Sequence, residues 1–250
     1  MTATASTPAG MLRTEVHRDG ARPLLTFYDD ATGERIELSA TTVDNWVAKT
    51  AGMLTSGLSV EPGERVCLLL PAHWQALAWA CACWSVGACA VLDPADDAEV
   101  TVAGPDTLDT AAGLGSPDLV ALALRPLGAP FTTGLPDGAL DYAVEVPGYP
   151  DQFTPIMPPD PDEPALEQQG TTHTLAGLVA RAHDRAGQLG LPSGARLLVS
   201  TDDLGTALLD ALLVPLVVGG SAVLVRHEDP DGRAARVDTE RVDAVVNPAA

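Results

Sequence analysis

Basic residues are scarce in this 250-residue chain: 14 Lys and Arg stand against 34 Asp and Glu, a formal net charge of −20. A surface this acidic repels phosphate backbones and anionic lipids, so no nucleic-acid partner is expected. A single base is lysine, Lys49. Met1 to Gly10 carry neither a basic start nor an apolar stretch, so no secretory leader is expected and the chain reads as cytoplasmic. The four cysteines all fall between Cys67 and Cys89, in apolar sequence and without CxxC spacing. They are expected as reduced, buried, small hydrophobes rather than as ligands.

The common catalytic signatures are also missing. There is no HExxH, no GxSxG, no GxxxxGK[ST] and no GxGxxG opening a helix. The five histidines are scattered. His73 falls between a strand and a helix, where open α/β sheets place ligand-facing residues and where a polar side chain also caps a helix. Asp93, Asp96, Asp97 and Glu99 do not match a calcium loop and read as a solvated acidic turn. No catalytic residue and no metal site is expected.

What is present is a core. Hydrophobic residues make up 46% of the chain, too many for wholesale disorder. From Val66 to Leu92 no residue carries a formal charge, a length that could span a bilayer. Pro71, His73 and Gly87 interrupt it, so strand, buried helix and second strand are expected there, and no membrane span.

The flanking pattern supports this. Leu24 to Asp29 and Glu34 to Leu38 read as a hairpin across Asp30–Gly33. A helix follows from Ser39 to Leu54, with Val43, Trp46, Val47 and Ala51 at helical spacing. Arg65 to Leu70, Trp74 to Val86 and Ala88 to Leu92 form a βαβ unit, which implies a parallel sheet. After the middle of the chain the same logic returns. A helix is expected at Leu175 to Leu189, a strand at Arg196 to Ser200, a helix at Leu204 to Val218 and a strand at Ser221 to Val225. A short helix at Arg233 to Arg241 and a strand at Ala244 to Val246 complete the series.

Between lies a different composition. Asp93 to Glu167 hold fifteen acids, one base (Arg125) and thirteen of the 21 prolines. Short strands are expected at Glu99 to Ala103 and Leu119 to Leu124, and an irregular connection from Pro147 to Pro164. The expected organisation is an N-terminal α/β lobe over 1–150, with 93–150 acidic and divergent, a linker over 151–172, and a second α/β lobe over 173–250. Gly170, Thr171, Thr172 and His173, just before a helix, could offer hydroxyls and amides to an anion. Helix capping by Thr172 or Thr174 accounts for the same residues.

The segment Leu54 to Pro94 resembles the N-terminal part of the adenylate-forming superfamily, which includes acyl-CoA synthetases. The matching motifs are Pro62-Gly63-Glu64-Arg65-Val66 and Gly87-Ala88-Cys89-Ala90-Val91-Leu92-Asp93-Pro94. The helix before them and the strand–helix–strand from Ala195 to Val225 fit the family as well. The likeness extends to a short actinobacterial group of AMP-binding-like proteins without assigned activity.

These motifs are scaffold. The family's phosphate loop is rich in Ser, Thr and Gly and ends in Pro-Lys-Gly; its place here is taken by Pro164 to Leu175, where only Gly170, Thr171 and Thr172 match. The lysine is absent, and Glu167 adds a negative charge where a triphosphate should sit. The family's adenine-holding aromatic motif, ribose-binding aspartate and mobile C-terminal domain lie beyond the matched pattern. The resemblance thus implies a truncated, non-catalytic relative with mostly parallel sheets. It would act as a cytoplasmic binding or scaffolding module, with a protein partner or self-association. No cofactor is expected; ATP or AMP could be held only at a weak pocket on Gly170, Thr171, Thr172 and His173. The alternative is half of an acid-activating ligase, completed by another polypeptide.

Overall fold

The computed structural model describes residues 7–246, the Leu127 side chain excepted. The expectations for residues 1–6 and 247–250 lie outside the described residues. The chain opens with α1 (Pro8–Asp19), β1 (Pro23–Asp29), β2 (Glu34–Ser39) and α2 (Ala40–Gly52). It continues through β3 (Arg65–Leu69), α3 (Trp74–Val86), β4 (Cys89–Val91) and β5 (Val100–Ala103). Then come α4 (Leu108–Ala112), β6 (Asp118–Ala121), β7 (Leu140–Asp141), α5 (Tyr142–Glu145), β8 (Pro164–Gln168) and β9 (Thr171–Thr174). The last part holds α6 (Leu175–Gln188), β10 (Arg196–Ser200), α7 (Leu204–Thr206) and α8 (Val214–Val218). It ends with β11 (Ser221–Arg226), α9 (Arg233–Thr239) and β12 (Ala244–Val246).

Local causes are visible at several of these. Pro8 starts α1, where its missing N–H costs nothing, and Thr7 Oγ1 accepts from Gly10 N at 3.2 Å. Every residue of α3 is buried, as a helix apolar on all sides requires. Among the described residues no helix is long and apolar enough to cross a membrane. Between α7 and α8 the chain widens into a π-helical stretch, Ala207–Leu213. Pro215, which has no N–H to give, stands just beyond it, and Gly219 in the left-handed region ends the helix.

Two compact units share the chain. Among the described residues the first contains 7–44, 72–77 and 176–246. Its five-stranded sheet has the order β12-β10-β11-β1-β2, parallel except for β2, which forms the expected hairpin with β1. Leu198, Val223 and Val225 form a core cluster there, joined by Tyr28, Val237 and Val242.

The second unit contains residues 45–71 and 78–175. Its seven-stranded sheet has the order β7-β6-β5-β3-β4-β8-β9, parallel except for β9. Cys67, Leu69, Val91, Ala95, Ala98, Ala103 and Ala111 cluster in its core. Both units are thus α/β with mostly parallel sheets, as the βαβ pattern implies.

The units interleave along the chain. Residues 151–172, expected as a linker, carry β8 and the start of β9, so this stretch extends the second sheet. Ala165 and Leu166 are buried, and Trp84 Nε1 donates to Ala165 O at 2.8 Å. The flanking Glu167, Gln168, Thr171 and Thr172 are polar because they run to the exposed end of a hairpin.

Candidate functional site

Gly170, Thr171, Thr172 and His173 sit at the end of the β8–β9 hairpin. Gln168 is paired with Thr171, so Gln169 and Gly170 alone make the turn. Both have positive φ, 51° and 72°, the signature of a two-residue type I′ turn. Gln169 N donates to Asp93 Oδ2 at 2.5 Å. Glu167 pairs with Arg65 Nη1 at 2.7 Å, and Asp97 pairs with Arg65 Nε at 3.3 Å. Thr171 and Thr172 are exposed, whereas His173 is half-buried. Four strand residues, about 13 Å of chain, separate the turn from the first residue of α6.

Binding a triphosphate takes donors and positive charge. The turn has its Gln169 amide already engaged by a carboxylate, with a second carboxylate on the adjoining strand. The residues here do not fit a triphosphate. Lys49, the one lysine, is committed as well: its Nζ donates to Tyr149 O at 2.6 Å and pairs with Asp151 at 2.9 Å.

The cysteines are buried, as expected, and form no disulfide among the described residues. Burial pushes the Cys83 and Cys89 thiols up, Cys89 to about 12 with the Glu167 carboxylate adding to it. Such thiols are poor nucleophiles and poor ligands. Among the described residues no group of three or more His, Cys, Asp or Glu could hold a metal ion. The acidic turn after β4 divides its work: Asp93 caps the hairpin turn and Asp97 meets Arg65.

His73 is a cap. Gln75 N donates to its Nδ1 at 3.2 Å at the start of α3. The ring is 1% exposed, edge-on to Phe27 with centroids 4.6 Å apart. Its Nε2 stands 4.0 Å from Glu34 Oε2, too far for a hydrogen bond. Burial, with the Arg226 guanidinium second, pushes its pKa down to about 3 against the pull of Asp29. The imidazole is neutral at physiological pH.

Sequence reasoning missed one constellation, at the carboxyl ends of β1 and β11. Asp29, 5% exposed, holds His227 with Oδ1 and Nδ1 2.8 Å apart. Arg226 lies between carboxylates, its Nη1 3.7 Å from Asp29 and its Nε 3.5 Å from Asp202. His227 has φ of 47°, and its N–H donates to Asp202 Oδ1 at 3.3 Å. A half-exposed imidazole oriented by a buried carboxylate at a parallel-strand end has the build of a proton acceptor. Here Arg226 Nη2 faces its Nε2 at 3.5 Å, so the guanidinium meets the nitrogen that a substrate would need. The available signal was positional: an acid ending one strand and Arg-His ending another.

Comparison with solved structures places this architecture. A Brucella canis acyl-CoA synthetase superposes with TM-score 0.74 at 17% identity, covering 96% of this chain and 46% of that one. The anthranilate CoA ligase AuaEII in complex with anthranoyl-AMP gives 0.77 at 16%, with 96% and 48% covered. A Mycobacterium tuberculosis fatty acyl CoA synthetase gives 0.73 at 17%, with 96% and 49% covered. The fold is shared with about half of each of these synthetase and ligase chains, and the chain spans about half the length of these structures. No protein-family model matches the chain. A "TIGR03089 family protein" of Mycobacterium tuberculosis (strain ATCC 25618 / H37Rv) is 38% identical over 252 residues, covering 98% of this chain and all of that one. The chain belongs to the TIGR03089 family.

Proposed function

We propose that the protein is a non-catalytic, cytoplasmic binding module on an adenylate-forming-type fold, working through a protein partner or self-association. The observation that carries this reading is the β8–β9 turn. Where a phosphate-holding loop would need length, amides and a cation, the hairpin closes in two residues, and a carboxylate takes the Gln169 amide. The engagement of Lys49 with Tyr149 and Asp151 supports it, since no other lysine can be recruited.

The test is a thermal-shift titration of the full chain with ATP·Mg, AMP, coenzyme A and acyl-AMP analogues. A ligand at a hundred times its Kd stabilises by about 2.7 kcal/mol, which is readily seen. No shift with ATP·Mg is expected. A shift lost in Thr171→Ala and Thr172→Ala would show a nucleotide held at Gly170, Thr171, Thr172 and His173, and would overturn the carboxylate argument. If ATP turns over only when a second polypeptide is added, the half-ligase reading replaces this one.

A further inference from the structure

Three Asp-Gly pairs occur in the chain: Asp19-Gly20, Asp137-Gly138 and Asp231-Gly232. Glycine has no side chain to shield its amide nitrogen, so that nitrogen can reach the carboxyl carbon of the aspartate before it. The structure treats the three pairs differently. Asp19 ends α1; its carbonyl accepts from Arg22 N at 3.2 Å, and the Gly20 carbonyl accepts from Thr41 N at 2.9 Å. A Cβ on Gly20 would stand 2.3 Å from Thr41 Oγ1, so this peptide is wedged in place. Asp231 lies in a single helical turn before α9, and the Gly232 amide is engaged, donating to Asp229 O at 3.0 Å.

Asp137-Gly138 is held by far less. Ala139 N donates to Pro136 O at 3.0 Å, and Gly138 has φ of 82° while Asp137 stays out of the left-handed region, which makes a type II turn. Both residues are exposed, and nothing beyond the chain neighbours stands within 4 Å of where a Gly138 Cβ would be. The Gly138 N–H makes no hydrogen bond among the described residues. One hydrogen bond therefore restrains rotation of this peptide, and the turn opens at low cost. The neck of the loop is closed separately: Phe131 N donates to Asp141 Oδ2 at 2.9 Å, and Leu140 pairs with Val120. The turn can open and the sheet stay intact. We propose that Asp137-Gly138 is a modification site, at which the folded chain isomerises to isoaspartate with water as the only co-reactant. Gly138 N attacks Asp137 Cγ; its proton and the hydroxyl of the protonated carboxyl leave as water, and a five-membered succinimide closes. Water then adds back. Cleavage of the bond from nitrogen to Cγ restores aspartate, whereas cleavage of the bond from nitrogen to the α-carbonyl carbon leaves the chain running through Cβ and Cγ. Nothing is oxidised or reduced, and the net change is an isomerisation.

The experiment ages the full chain at neutral pH for several weeks, folded and in urea. Isoaspartate is then labelled by a protein isoaspartyl methyltransferase with radiolabelled S-adenosylmethionine and placed by peptide mapping with electron-transfer fragmentation. In urea all three pairs should isomerise, which gives their intrinsic rates. In the folded chain Asp137 should keep most of its urea rate. Asp19 and Asp231 should fall at least about tenfold below theirs, since each must first break packing or a hydrogen bond. Asp137→Glu keeps the charge but needs a six-membered ring, and should remove the label at this position. Asp137→Asn releases ammonia, a better leaving group than hydroxide, and should isomerise faster than the parent. Both substitutions are at an exposed position, and an unchanged Tm confirms the fold. Isoaspartate at Asp137 in urea but not in the folded chain overturns the proposal. So does isomerisation of Asp19 or Asp231 in the folded chain as fast as that of Asp137, or a label that Asp137→Glu leaves in place.

Discussion

The two units hold the same number of carboxylates, 17 each, but the first has eleven arginines and the second three cations. In the first unit acids are built into the fold. Glu240, 7% exposed, accepts from Tyr28 at 2.6 Å, from Arg196 at 2.6 Å and from Arg35 at 2.9 Å. Asp210 holds Arg185 through both oxygens, at 2.8 and 2.9 Å. Asp30 pairs with Arg236, and Glu228 with Arg233. In the second unit most acids stand in solvent, Asp96, Glu99, Asp106, Asp109, Asp137 and Asp160 among them. A net charge of −20 therefore describes two different things, a framework of ion pairs in one unit and a solvated acidic surface in the other.

The largest effect that could break this comparison comes from Glu240→Ala. It removes the shared acceptor of Tyr28, Arg35 and Arg196, leaving Arg35 with Glu37 and Arg196 with Ser221 and Thr26, and should cost about 3 kcal/mol in urea unfolding. Burial opposes ionisation of Glu240, but hydrogen bonds from Tyr28, Arg35 and Arg196 outweigh it and hold its carboxyl below the usual range. Its contribution is therefore complete above the unfolded-state pKa and fades as pH falls through the folded one. A loss below 1 kcal/mol would show that the network is decorative.

Next comes His73. A histidine whose folded pKa is pushed down binds fewer protons folded than unfolded, so stability falls as pH drops below about 6.5 toward 3. The slope should approach about 1.4 kcal/mol per pH unit. His73→Asn keeps a capping acceptor without the proton, and should flatten the profile between pH 7 and 5 relative to the parent. Gly57→Ala should cost about 1–3 kcal/mol by displacing Tyr149. Smallest of all, Asp109→Asn and Asp137→Asn, both exposed in the second unit, should change stability by less than about 0.5 kcal/mol. Costs of several kcal/mol there would erase the distinction.

Much of the fold was legible because it is local and apolar. The strand at 65–69, the helix at 74–86 and the strand at 196–200 lie where periodicity and continuous apolar runs put them. The β8–β9 hairpin was hidden, because Glu167 to Thr172 carry almost no apolar signal and the pairing partner of β8 is β4, more than seventy residues away. The interleaving of the units was hidden for the same reason: it is made by long-range pairing. At the site, the absent lysine and the charge of Glu167 were plain in the sequence. The closing of Gln169 by Asp93 and the meeting of Asp29 with His227 were not, since each joins residues 76 and 198 positions apart.

With the Gln169 amide held by Asp93, the turn is expected to bind no nucleotide for chemistry. The most direct test is ATP–pyrophosphate exchange by the full chain with a panel of carboxylic acids. No acid-dependent exchange above background is the predicted result. Exchange that requires an added acid and is lost in Thr171→Ala or Thr172→Ala would contradict it.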